Sequence, residues 1–393
     1  MRAFVFVCLV LLLRVDPAAA AEPYDRTATQ ATMREIFGAL QVLLPLAVDH
    51  EAFADPARAG EIERGLQQIA SQAAQLGTHT QGFDAGGRYL GRSLERDATR
   101  ALREFQRGRA ETSAFFVEQM TGACVGCHAR LPAADADVAR GFAEVPGLEA
   151  LDILERARLQ VATRRFDEAL ASFEEAFAAP DQHPAVLLGP LTDYLTVSIR
   201  VKDDLVRPVP VLEAMASRPE TWAQLRSDLR IWAADLKRFA LPGGRPDSLE
   251  HARAVMLEAQ SRALYPSDRR PLIEYLVTSA ALHRYVSQQR EPSPELAEAY
   301  YLLGLAEIRV GPDLWISPAH YFLETAVRVA PATVFAEQAY ALLEDETIAG
   351  FTGSAGVMVP ADVQVHLDEL RGLLENPPAA PGAEMPERDA DGE

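Results

Sequence analysis

Three observations predict an all-α chain. From Thr29 onward apolar residues recur at spacings of three and four, the period of a helix with one buried face. The main glycine and proline signals of the first third, at Pro56, Gly77, Gly108 and Pro132, fall between those periodic segments, where helices start and stop. The same amphipathic period then continues through segments near 190–203, 219–239, 247–263 and 269–289. With 393 residues the chain is long enough for two or three domains, each with its own core.

The N-terminus precedes the periodic part. Met1-Arg2 leads into an apolar run from Ala3 to Leu13, followed by Ala18-Ala19-Ala20-Ala21 and a polar start at Glu22. A short positive region, an apolar core of that length and small residues at the boundary describe a secretory signal peptide over residues 1–21, cleaved after Ala20 or Ala21. The run is too short to span a bilayer. No later segment is expected to reach spanning length, so the mature chain is expected to be soluble and exported.

Four helices are predicted over residues 22–135. The first carries Met33, Ile36, Phe37, Leu40, Leu43, Leu44 and Ala47 on one face, with Pro45 as a possible kink. Asp55-Pro56 is an N-cap followed by proline at the first helical position, and Ile62, Leu66, Ile69, Ala73 and Leu76 keep the period until Gly77. A third helix runs from about Asp84 to Gln106 through Tyr89, Leu90, Leu94, Ala98, Leu102 and Phe105. After a turn at Gly108 the fourth begins near Ala110, carries Phe115, Phe116 and Met120, and ends at Arg130-Leu131-Pro132. Short loops between four such helices make an antiparallel bundle.

Near the end of the fourth helix stands Cys124-Val125-Gly126-Cys127-His128, the attachment pattern of c-type haem. Two thiols one helical turn apart can add to the two vinyl groups of one porphyrin, and the adjacent imidazole then serves the iron as proximal ligand. Of the three cysteines, Cys8 lies in the segment expected to be removed, so both remaining thiols sit in this motif. A disulfide-exchange pair would place its first cysteine at a helix N-terminus within a βαβ unit, and no strand precedes Cys124. A structural zinc site needs four ligands, and no second Cys pair or close His pair exists.

A four-helix bundle with this motif at the end of its fourth helix resembles the class II c-type cytochromes, the cytochrome c′ and cytochrome c-556 group. The resemblance covers about the first third of the chain and rests on Phe115-Phe116, on Cys124-Val125-Gly126-Cys127-His128 with Arg130 shortly after, and on Met33. It implies one covalently bound haem c, with Cys124 and Cys127 as thioether anchors and His128 as proximal iron ligand. In six-coordinate members a methionine of the first helix is the distal ligand, and Met33 is the matching position. A Met/His pair suits electron transfer. If Met33 is core packing instead, the iron keeps an open face. Met120, eight residues before His128 on the same helix, cannot cross to the opposite face of the haem. His50 and His79 lie near helix ends and read as solvated loop residues.

The third helix also carries Arg88, Arg92, Arg96, Arg100, Arg103 and Arg107, a ridge along one face. It could pair with haem propionates, meet an acidic redox partner, bind the acidic C-terminal part of the same chain, or form a solvated face with Glu95, Asp97 and Glu104 as intrahelical partners.

Residues 136–147 read as a linker and 148–376 as a second, helical domain. Phe166-Asp167-Glu168-Ala169-Leu170, then Phe173, Ala176 and Pro180, resembles the second helix of a tetratricopeptide repeat. Tyr300, Leu303 and Gly304 fit the first helix of that repeat and Ala319, Ala326 and Pro331 the second, given a short insertion at Gly311 to Ser317. The expected architecture is therefore a four-helix-bundle cytochrome followed by a degenerate, TPR-like helical-repeat domain. His183, His251, His283, His320 and His366 are scattered without metal-ligand spacing. Gly350 to Gly356 lacks the lysine and preceding strand of a phosphate loop and reads as a flexible connection. Residues 377–393, rich in Pro, Ala, Asp and Glu, read as a disordered acidic tail.

The net charge of −19 argues against nucleic acid or an anionic membrane as partner. Between Glu22 and Asp135 there are 12 Arg and no Lys against 15 Asp and Glu, a balance of −3, so most of the acidity lies after the haem motif. The functional expectation is a periplasmic, bacterial mono-haem electron carrier, not an enzyme, that docks on a redox partner through its repeat domain. The alternative is a five-coordinate sensor that binds nitric oxide or carbon monoxide, with the repeat domain as relay.

Overall fold

A computed structural model describes residues 26–79, 85–129, 151–179, 184–289, 291–311, 319–354 and 356–377. The expected signal peptide at 1–21, the linker at 136–147, Arg130-Leu131-Pro132 and the tail from 378 lie outside the described residues. What is described is predominantly helical, with a single two-stranded pairing.

The first region holds α1 (Arg26–Val48), a short α2 (His50–Ala54), α3 (Ala59–His79), α4 (Ala85–Gln106) and α5 (Ala110–His128). The α1, α3, α4 and α5 helices pack each on the next, and α1 returns to α5. The predicted apolar face of α3 is the observed one: Ile62, Leu66, Ile69 and Ala73 are fully buried. Asp55 caps the entry to α3 through Oδ1, which accepts from the Ala57 amide at 2.9 Å. A β-carbon at Gly65 would meet the Leu43 side chain at 3.0 Å, so the missing side chain lets α1 and α3 approach closely. Gly108 takes a left-handed φ of 75°, the conformation the α4–α5 turn needs and glycine adopts without strain. The α2 helix, which periodicity over five residues cannot reveal, seats Phe53 edge-on against Phe105 at 5.8 Å.

The Thr27–Val48 stretch, with a mean hydropathy of 1.3, is long and apolar enough to cross a membrane, contrary to the expectation that nothing after the leader is. Half of its apolar window is buried against the rest of the protein, which is how the core helix of a bundle comes to look like a spanning segment.

The second region holds α6 (Ile153–Ala162), α7 (Phe166–Ala178), α8 (Leu188–Thr196), α9 (Pro208–Ala216), α10 (Ala223–Phe239), α11 (Leu249–Arg262), α12 (Leu272–Gln288), α13 (Pro294–Val310), α14 (Ala319–Val329), α15 (Val334–Gly350) and α16 (Ala361–Glu375). Sequential helices pack as neighbours from α11 to α16, around one core that includes Ala129 and runs from Ala157 to Leu370. Asp152, Ser248, Ser293 and Thr333 cap α6, α11, α13 and α15 by accepting backbone N–H groups. The α8 helix continues into a π-helical turn, Val197–Val201, that carries the buried Arg200. Residues 352–353 and 356–357 form a small antiparallel pairing where a flexible connection was expected.

Among the described residues the two regions meet at α5 with α6 and at α4 with α14. The α6 helix packs on α5, and Leu151, Leu159 and Ala162 belong to the same core as α1, α3, α4 and α5. At the second contact α14 lies on α4, where the Arg92 guanidinium sits 5.0 Å over the Tyr321 ring.

Candidate cofactor-attachment site

Residues 124–128 form the last turn of α5. Cys124 and Cys127 stand three positions apart in this turn. The Cys124 side chain is partly buried and packs against the first region's core. Met33, on the third turn of α1, is likewise partly buried and packs on that core. Both residues border the large core shared by α1, α3, α4 and α5.

His128 ends the helix, and its position is defined by a hydrogen bond from outside the first region. Its Nδ1 lies 2.6 Å from the carbonyl oxygen of Ala162, at the end of α6. A carbonyl only accepts, so Nδ1 carries the proton and Nε2 of the neutral ring is left with a lone pair. Desolvation, reinforced by the positive charge of Arg164 and opposed by the bond to Ala162, pulls the imidazole down to about 4. At neutral pH the ring is therefore uncharged, the form in which imidazole binds a metal.

A covalent haem needs two thioether anchors and an imidazole ligand on one face. The donor set is Cys124 and Cys127, three positions apart in one helix, and an imidazole whose outer nitrogen is engaged by a backbone carbonyl, with Cys124 and Met33 both bordering the core of the first region. An engaged outer nitrogen fixes tautomer and ring orientation, as it does for metal-bound histidines generally. The residues fit the group.

The arginine ridge of α4 divides among several tasks. Arg92 meets Tyr321 of the second region, and Arg100 stacks 4.7 Å over the ring of Phe116 on α5. Arg96 lies 3.4 Å from Asp97, while Arg103, Arg107 and Arg109 surround the buried Glu104. Arg92 thus reaches the second region through an aromatic ring and not through a carboxylate, while Arg96, Arg103 and Arg107 have Asp97 and Glu104 of their own helix as partners. The Arg88 side chain lies outside the described set. His50 is exposed and 3.9 Å from Glu118.

Sequence reasoning missed Ala162 and Arg164. The first acts through its backbone, which carries no residue signal. The second stands in the Thr163-Arg164-Arg165 connection, where a left-handed residue is usually announced by glycine. Comparison with family models, with curated proteins and with solved structures returns no match.

Proposed function

We propose that the chain is an exported mono-haem c-type cytochrome of the class II kind, which carries single electrons and docks on a redox partner protein through a TPR-like helical-repeat region. The reading is carried by Cys124-Val125-Gly126-Cys127-His128 on the last turn of α5, with Nδ1 of His128 committed to the Ala162 carbonyl.

Haem c, when attached, supplies the one-electron ferric–ferrous couple. Cys124 and Cys127 would hold it through thioether bonds, and His128 would offer Nε2 to the iron. Met33 is the distal ligand in this reading, because α1 and α5 pack together and both Met33 and Cys124 border the core they share. Export is supported by the leader-like residues 1–21.

The repeat reading is supported at α13 and α14. A β-carbon at Gly304 would stand 2.6 Å from the Leu323 side chain and 3.2 Å from the Ala319 carbonyl. Small residues at these positions allow that approach, and stacked pairs of this kind present an extended face to a protein partner.

The test is purification of the full chain from the periplasm of a host with haem-attachment machinery. One haem per chain by pyridine haemochrome and by intact mass is expected, and none in the Cys124→Ser, Cys127→Ser double variant. A colourless native protein with free thiols would overturn the reading. Ferrous native protein is expected to take up carbon monoxide slowly and Met33→Ala rapidly. Rapid uptake by the native protein would instead assign an open iron face and the gas-binding function.

A further inference from the structure

A pocket of about 470 Å³ opens in the second region, between the connection that leads into α11 and the last two turns of α12. Ligand sites commonly occupy about 300–1,000 Å³, apolar over most of their lining with a few polar groups that fix orientation. The apolar wall here is Pro246, Leu249, Ala252, Ala281 and Leu282. Two of the charged groups close on each other. Asp203, at a left-handed φ of 53°, accepts from the Arg245 guanidinium through its carboxylate and, at 3.1 Å, through its own carbonyl. Asp247 stands 3.3 Å from the His251 ring and keeps 86% of its side chain in solvent.

Arg284 differs from both. It is half-buried in the lining, and among the described residues no carboxylate or other acceptor meets its guanidinium. The Tyr285 hydroxyl and the Gln288 amide, which line the same pocket, are likewise committed to no protein group among the described residues. Gln288 stands one turn after Arg284, so the two share a side of α12.

We propose that this pocket binds a small monocarboxylate with an apolar body, its carboxylate received by Arg284 and its body by the wall around Leu249 and Ala281. A guanidinium drawn partly out of water without an anion beside it has lost hydration and gained no partner. Its parallel N–H groups match a carboxylate. The Asp247 carboxylate opposes a second negative charge, so one carboxylate fits and two do not. Every lining residue lies in the second region, so the proposal does not depend on the cysteine motif.

The experiment is isothermal titration calorimetry on the full chain, with butanoate, octanoate and 4-phenylbutyrate as probes and octylamine and octanedioate as their counterparts. Affinity is expected to rise from butanoate to octanoate, 4-phenylbutyrate is expected to bind, and the two counterparts are expected to give no heat. Arg284→Gln is expected to weaken octanoate at least about tenfold, the loss that follows when a hydrogen bond to a charged group is removed. Arg284→Lys is expected to recover part of that loss, and Ala281→Phe, which fills the pocket, to abolish binding. Arg230→Gln, at an exposed position of α10, is expected to leave it unchanged. Thermal transitions equal to native in both Arg284 variants are expected, since the side chain holds no protein partner. Equal octanoate affinity in native protein and Arg284→Gln, binding of octylamine in place of octanoate, or no heat with any of the three monocarboxylates would overturn the proposal.

Discussion

Among the described residues, 26–129 enclose aliphatic and aromatic side chains with only Asp97 and Glu104 as buried charged groups, whereas the second region buries Arg200, Asp228, Asp235, Asp268, Glu274, Glu298 and Glu307. Apolar packing is non-directional, so the first region depends on helix period and close approach for its arrangement. Buried ion pairs are directional. Arg200 reaches from the π-turn to Ser279 on α12 at 2.9 Å and to Glu307 on α13 at 2.7 Å, tying three helices together. Glu298 on α13 takes Arg253 from α11, and Glu274 on α12 takes Arg238 and Arg262 from α10 and α11. The same polypeptide thus specifies its neighbours by shape in one part and by charge in the other.

Removing one partner of a buried pair strands the other, so the largest expected effect is at Glu307. The Glu307→Ala change is expected to destabilise the second region by about 3–5 kcal/mol. Trp222, Trp232 and Trp315 all lie there, so urea unfolding followed by tryptophan fluorescence reads that region directly. An unmoved transition would mean that charge pairing does not specify these helices.

Glycine sharpens the contrast. The Gly304→Ala change drives a β-carbon into Leu323 and is expected to cost about 1–3 kcal/mol by the same fluorescence measurement. Gly38→Ala on α1 adds a β-carbon that meets nothing within 4 Å, and is expected to stabilise the first region by about 0.5–1 kcal/mol in thermal unfolding. Equal effects at the two sites would remove the distinction between a packed helix pair and an open helix face.

The regions also differ in how far they could be read from residues alone. Helix boundaries in the first region follow from Asp55-Pro56, Gly108 and the spacing of Ile62 to Leu76, because each signal acts within a turn or two of itself. In the second region the segments expected at 219–239, 247–263 and 269–289 are found as helices at 223–239, 249–262 and 272–288. The α9 helix is not among the segments expected from periodicity; Pro208 stands in its first turn, where the missing N–H costs nothing. At the candidate site, Cys124, Cys127 and His128 form a local motif and were legible. The Ala162 carbonyl was not: every residue has one, and only the packing of α6 on α5 selects it. Phe115 shows the same limit, since it is exposed while its neighbour Phe116 is buried.

The contact between the regions can be weakened without touching either core. Arg92→Ala removes the cation over Tyr321, a loss of about 0.5–1 kcal/mol. In protein loaded with the proposed haem, comparing the Soret band, for the first region, with tryptophan fluorescence, for the second, is expected to show the two unfolding transitions drawing apart in this variant. Transitions that stay superimposed would place the coupling wholly at α5 and α6.

That remaining contact contains two carboxyls whose protonation modulates it. Glu118 on α5 is pushed above the usual carboxylate range by burial, with His50 opposing and the charge of Glu155 adding. Glu155 on α6 is pushed up by burial and by Asp152. A carboxyl with a raised value in the folded state holds its proton where the unfolded chain has released it. Stability from this pair is therefore fully present at acid pH and declines as pH rises from about 4.5 through the raised values. Both groups keep contact with solvent, so the effect is screened and amounts to a few tenths of a kcal/mol. Glu155→Gln, which removes the charge, is expected to raise the unfolding midpoint slightly at pH 7 and to leave it unchanged near pH 4. A larger gain at pH 4 than at pH 7 would reverse the sign and exclude these carboxyls as a source of repulsion between the regions.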